Sequence, residues 1–118
     1  MEKMIAWVEI PTIDFERAVM FYEQLLGINL KTEVWEAEKM ALFPKGEGAI
    51  IHSPGFEPSS QGAVVSLNVG DKLDEVLLKL EENGGKVIKS KTKIEAEGRD
   101  CFALFFDTEG NRLGLYGN

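Results

Sequence analysis

Apolar residues recur along this chain with two alternating periods. Ile5-Ala6-Trp7-Val8-Glu9-Ile10 alternates in part and stops at Pro11, which is the pattern of a strand. From Phe15 the spacing changes. Phe15, Ala18, Val19, Tyr22, Leu25 and Leu26 recur at three and four, which gives a helix one apolar face. Asp14 stands where an N-cap belongs, and Gly27 where a left-handed C-cap belongs. Residues 28–35, 40–43 and 49–52 read as three more strands, with Lys45-Gly46-Glu47-Gly48 as the last turn. The first half is therefore a β-α-β-β-β unit.

The same order then returns. Residues 63–69 read as a strand, and Asp71 as the cap of a helix that buries Leu73, Val76, Leu77 and Leu80 and stops at Asn83-Gly84-Gly85. Residues 86–91, 101–107 and 112–116 read as strands, with Thr108-Glu109-Gly110-Asn111 turning between the last two. An offset of 57 carries Ala6 to Ala63, Asp14 to Asp71, Val19 to Val76 and Gly27 to Gly84. An offset of 62 carries Ala41-Leu42-Phe43 to Ala103-Leu104-Phe105, and Glu47 and Gly48 to Glu109 and Gly110. Two units of one design in one chain mark an internal duplication. The expected modules are 1–53 and 62–118, joined by the breaker-rich linker 54–61. The growth of the offset places five extra residues within 89–98, as a longer hairpin end or a Lys-rich lid.

Composition narrows the function. At 118 residues the chain is one compact domain with a substantial core. Its net charge of −7 argues against nucleic acid or an anionic membrane as partner, since both need a basic face. A single cysteine, Cys101, permits no internal disulfide and fits a reducing, cytoplasmic location. Residues 1–11 contain Glu2 and Glu9 and no long apolar run, so they do not read as a secretory signal, and no stretch approaches a membrane span.

Two stretches are specific enough to name a family. Val8-Glu9-Ile10-Pro11 followed by Asp14-x-Glu16-Arg17-Ala18-x-x-Phe21-Tyr22-x-x-x-Leu26-Gly27, and the ending Phe105-Phe106-Asp107-Thr108-Glu109-Gly110-Asn111, resemble the vicinal oxygen chelate superfamily of glyoxalase I, bleomycin-resistance proteins and extradiol dioxygenases. The resemblance implies an α+β fold of two βαβββ modules whose mixed sheets curl into a cup, with a helix outside each. Alternation then sorts side chains between cup and helix. Trp7 and Glu9 should face the cup from the first strand, and Ile50 and His52 from the fourth. Val64, Ser66 and Asn68 should do so from the fifth, and Arg112, Gly114 and Tyr116 from the eighth. Metal-dependent members of the family draw ligands from four related places, which here hold Trp7, His52, Val64 and Gly114. His52 alone among them offers a side-chain donor, whereas a catalytic site needs about three. A divalent metal is therefore disfavoured and no cofactor is expected.

The sequence thus points to a protein that binds a small organic molecule in a cup lined by Trp7, Glu9, His52, Asn68, Arg112 and Tyr116. The alternative is a lyase or isomerase of the glyoxalase type. It would use metal through an unusual ligand set, or Glu9 and His52 as base and acid without one. Glu9 could instead pair with Arg112 as structure. Trp35 and Phe56 lie in exposed-looking segments, so a symmetric homodimer is expected. Cys101 reads as a small buried hydrophobe.

Overall fold

The computed structural model describes residues 3–118. The chain runs β1 (Val8–Pro11), α1 (Phe15–Leu26), β2 (Lys31–Trp35), β3 (Glu38–Leu42), a 3-10 turn (Pro44–Gly46), β4 (Gly48–His52), β5 (Ser66–Gly70), α2 (Leu73–Glu82), β6 (Lys86–Lys93), β7 (Cys101–Phe106) and β8 (Arg112–Gly117). The strands form two open, mixed sheets, ordered β1-β4-β3-β2 and β5-β8-β7-β6. In each, the first strand lies parallel to the fourth and the other pairs are antiparallel. The two βαβββ modules are thus repeated as expected. No helix among the described residues is long and apolar enough to cross a membrane.

Local chemistry sets the first helix. The Asp14 carboxylate accepts from the Arg17 amide at 3.1 Å, and Gly27 closes the helix at φ 65° with its amide on the Glu23 carbonyl. The second helix departs from expectation. Its cap is Lys72 rather than Asp71, with no side-chain cap bond, and the first-turn amide of Leu73 is satisfied by the Asn118 carbonyl instead.

Both helices and the helix-facing sides of both sheets share one core. Ile10, Ala41 and Ile50 form a row across the first sheet, and Leu67, Leu115 and Ala103 the matching row across the second. Between them lie Phe21, Tyr22 and Leu25 of α1 and Leu73, Val76 and Leu80 of α2. Phe21 stands at the centre, edge-on to Tyr22 at 5.0 Å and 6.4 Å from Phe105 of the other module. The α1 periodicity read from sequence did not include it.

The modules are locked together by polar groups as well. The turn Asp107–Asn111 carries three buried polar side chains, Asp107, Glu109 and Asn111. Glu109 reaches the start of α1 and accepts from the amides of Ile13 (2.9 Å) and Asp14 (2.7 Å), from Arg17 Nε (2.8 Å) and Nη2 (3.0 Å), and from the Thr108 hydroxyl (2.8 Å). Asp107 accepts the Tyr22 hydroxyl at 2.6 Å and closes its own turn on the amides of Glu109 and Asn111. Asn111 donates to the Pro11 carbonyl and accepts from the Ser59 amide, tying in β1 and the linker. Gly110 makes the turn at φ 94°, a conformation that favours glycine.

Burial opposes ionisation of Glu109, but the hydrogen bonds from Arg17, the Asp14 amide, Thr108 and the Ile13 amide outweigh it and hold the carboxyl down to about 2. Burial beside Asp107 pushes the Tyr22 hydroxyl well above its ordinary range. The Glu109 contribution is therefore complete above the unfolded-state value of about 4.3 and is lost as pH falls through that value toward 2. Arg17 is half exposed, so solvent screens part of this, and the contribution is on the order of 2 kcal/mol. Glu109→Gln should lower the urea-unfolding free energy at pH 7 by about 2–3 kcal/mol and flatten the acid limb of the stability profile. An unchanged acid limb in the variant would remove Glu109 as its source.

Candidate functional site

Each sheet turns one face to the helices and the other outward. On the first sheet the outward residues lie in rows: Lys31–Leu42–Ala49–Glu9, then Glu33–Met40–Ile51–Pro11, then Trp35–Glu38. On the second sheet they are Lys86–Phe106–Arg112, then Lys89–Leu104–Gly114–Ser66, then Thr92–Phe102–Tyr116–Asn68. These outward faces are the walls that a cup would use. Within one chain the strands of the two sheets do not pair with each other. Trp7 is 41 % exposed, Val64 43 % and Trp35 50 %.

Most of the anticipated side chains stand on these faces. Trp7 and Glu9 project from β1 and its approach, and the Trp7 indole donates to Glu9 Oε2 at 3.1 Å. Glu9 therefore pairs with its neighbour and not with Arg112. Asn68 accepts from the Gly70 amide at 3.0 Å, and the Tyr116 hydroxyl accepts from the Asp100 amide at 3.3 Å, which ties the loop 94–100 to β8. Arg112 donates from Nη2 to the Gly62 carbonyl at 3.3 Å, while its Nε is buried without a partner among the described residues.

His52 is the exception. Ile50 lies opposite Ile10, which faces the helix, so Ile50 and His52 also face the helix side. The expectation that both line the cup is corrected. The cause is a difference in hairpin length. Ala41 pairs with Ile50, nine residues on, while Ala103 pairs with Leu115, twelve residues on. The offset between modules is therefore 62 at β3 but 65 at β4. The matching Glu-Gly pairs suggested a constant 62, and a slip by three, an odd number, exchanges the two faces. The true counterpart of Gly114 is Ala49. The four related positions thus hold Trp7, Ala49, Val64 and Gly114. Among the described residues, no three His, Cys, Asp or Glu side chains converge where they could share an ion.

His52 instead borders an open cleft of about 460 Å³ at the start of α1, beside Phe15, Glu16, Arg17 and Lys39, with Nδ1 buried and without a partner among the described residues. Lys39 pairs with Glu16 at 3.1 Å and lies 5.8 Å from the Phe15 ring centroid. His52 and Glu9 thus occupy opposite faces of one sheet and cannot act together on one substrate. Cys101 is buried on the helix side, as the sequence suggests.

The likeness to known proteins agrees with this fold. The Glyoxalase/Bleomycin resistance protein/Dioxygenase superfamily profile matches residues 4–115, and the chain belongs to that superfamily. Among solved structures, a glyoxalase/bleomycin resistance protein/dioxygenase family enzyme from Burkholderia phytofirmans PsJN is 17 % identical, with a TM-score of 0.73 over 96 % of this chain and 97 % of that one. The fosfomycin resistance protein FosX from Mesorhizobium loti is 15 % identical, with a TM-score of 0.69 over 100 % and 93 %. Glyoxalase I from Zea mays is 23 % identical, with a TM-score of 0.67, covering 95 % of this chain but 45 % of that one. At these identities the likeness concerns the fold alone. No curated protein matches the chain.

The face assignment has a direct check. In a nitrogen-labelled sample the Trp7 indole N–H resonance should move on Glu9→Gln, which keeps an acceptor but removes the charge. It should stay in place on His52→Ala, because His52 lies through the sheet. A large Trp7 shift on His52→Ala would put both on one face.

Proposed function

We propose that this chain binds a small organic molecule between the outward faces of its sheets, acting by sequestration or sensing without a metal centre. What carries the reading is the make-up of those faces. Aromatic side chains (Trp7, Trp35, Phe102, Phe106, Tyr116) lie among a few polar groups (Glu9, Asn68, Arg112), which is the mixture a ligand cavity needs. The four positions from which a metal would be held carry an indole, a methyl group, an isopropyl group and a glycine, and these do not fit an ion.

A homodimer belongs to the same reading. The outward strand positions of the first sheet hold Glu9, Glu33 and Glu38 against Lys31, whereas those of the second hold Lys86, Lys89 and Arg112 and no acid. Opposite charge and half-exposed tryptophan support a pairing in which the first sheet of one copy faces the second sheet of its partner. The lyase or isomerase alternative would rest on Glu9 as sole base, since His52 stands across the sheet.

Sedimentation at micromolar concentration should show a dimer, and Val64→Arg, on an outward face, should dissociate it with little loss of monomer stability. A monomeric wild type would end the dimer reading. Trp7→Ala should weaken any ligand found by thermal shift by roughly 1–3 kcal/mol, the worth of a buried aromatic contact. A screen of aromatic acids, amines and neutral aromatics in which nothing raises the melting temperature would end the binding reading.

A further inference from the structure

The outward face of the second sheet is more specific than a generic ligand wall. Its middle strand, β7, presents Phe102, Leu104 and Phe106 as a continuous apolar column, half-buried between its neighbours. Lys86 and Lys89 flank the column on β6, and Arg112 and Tyr116 on β8. Between those two β8 side chains Gly114 lets the Ser66 hydroxyl lie over the backbone, since a Cβ there would stand 2.5 Å from Ser66 Oγ. Arg112 and Lys86 occupy one row with Phe106 between them, their backbones about 10 Å apart at the ordinary strand spacing. Lys86 is long enough to reach over the Phe106 ring toward Arg112, whose Nη2 is held by the Gly62 carbonyl.

Within one chain the charge on this row is uncompensated. No carboxylate forms an ion pair with Arg112 or Lys86 among the described residues. None of the outward residues of these four strands is acidic, in a chain whose net charge is −7. Asp100 lies at the opposite end of the face, beside Tyr116. Among the described residues the Arg112 Nε has no acceptor and is closed to solvent, but Arg112 as a whole is partly exposed, and an anion could meet the rest of its guanidinium with a charge-assisted bond.

From this arrangement we infer that the ligand is a small organic acid with a flat apolar body. Its anionic group sits on Arg112 and Lys86, and its body lies along Phe106, Leu104 and Phe102 beside the Ser66 hydroxyl at Gly114. The inference rests on the reading that the outward faces form the ligand site, and it adds the chemical class. Arg112 would supply direction through its planar fork, and Lys86 a movable point charge.

Benzoate and its neutral isostere benzamide separate the two claims. Each is titrated at constant ionic strength into nitrogen-labelled full-length protein, following the Arg112 Nε–H resonance and the Gly114 and Tyr116 amides. Benzoate should shift all three and bind at least ten-fold tighter than benzamide. Arg112→Gln should abolish that preference. Lys86→Gln, at an exposed edge position where folding is not at stake, should reduce it several-fold. If benzamide binds these residues as well as benzoate does, the acid specificity is wrong while the binding site stands. If neither compound moves any outward-face resonance, both the specificity and the site are wrong. A benzoate response that is unchanged in both variants overturns the assignment to Arg112 and Lys86.

Discussion

The structure depends on one buried carboxylate. Glu109 stands on the last hairpin of the chain, yet its partners are the amides that open the first helix and the Arg17 side chain one turn further. The start of a helix leaves amides without partners, and the positive end of its dipole favours an anion there. Here the other module supplies that anion. With Asp107 on Tyr22 and Asn111 on Pro11, the same turn fixes β1, α1 and the linker relative to the second sheet. The apolar core could form with some slack in that relation. Directional bonds at five or six points leave little, and the orientation of the two outward faces follows from them.

That rigidity separates the two sides of each sheet by role. The helix side is closed, apolar and shared between modules, with Phe21 reaching Phe105 across the boundary. The outward side keeps aromatic rings half-exposed and gathers acid on one sheet and base on the other. A surface of this kind is unfavourable in water unless something covers it. The proposed ligand and a second copy would be two answers to the same exposed area, and they are compatible if each copy contributes one wall of the cavity.

Much of this was legible in the chain. The three-and-four spacing from Phe15 located the first helix, and Asp14 and Gly27 located its ends. The offset of 57 exposed the duplication, and alternation placed Trp7, Glu9, Asn68, Arg112 and Tyr116 on the outward faces. His52 was misplaced because strand faces have period two, and a hairpin longer by three residues exchanges them. The pairing of Ala41 with Ile50 and of Ala103 with Leu115 shows the difference, and single residues do not. Phe21 fell between the marked helix positions, since a helix packed on two sheets buries a wider face than one packed on a single sheet. The Asp107–Asn111 turn read only as a turn because its bonds span some 50 to 100 residues. Local sequence carries no sign of partners so distant, although three polar residues alternating after Phe106 were a hint that they had somewhere to go.

The dependence of the first helix on Glu109 also has a consequence for how the chain is made. During synthesis the N-terminal module emerges first, with Phe21 and Tyr22 ready to pack but their partners still untranslated. The anion for the helix start comes more than ninety residues later. The first module therefore lacks it until the second has been made, and the domain closes in one late step. A stalled ribosome would hold out a sticky half-protein, which gives chaperones at the exit tunnel their longest opportunity on this chain.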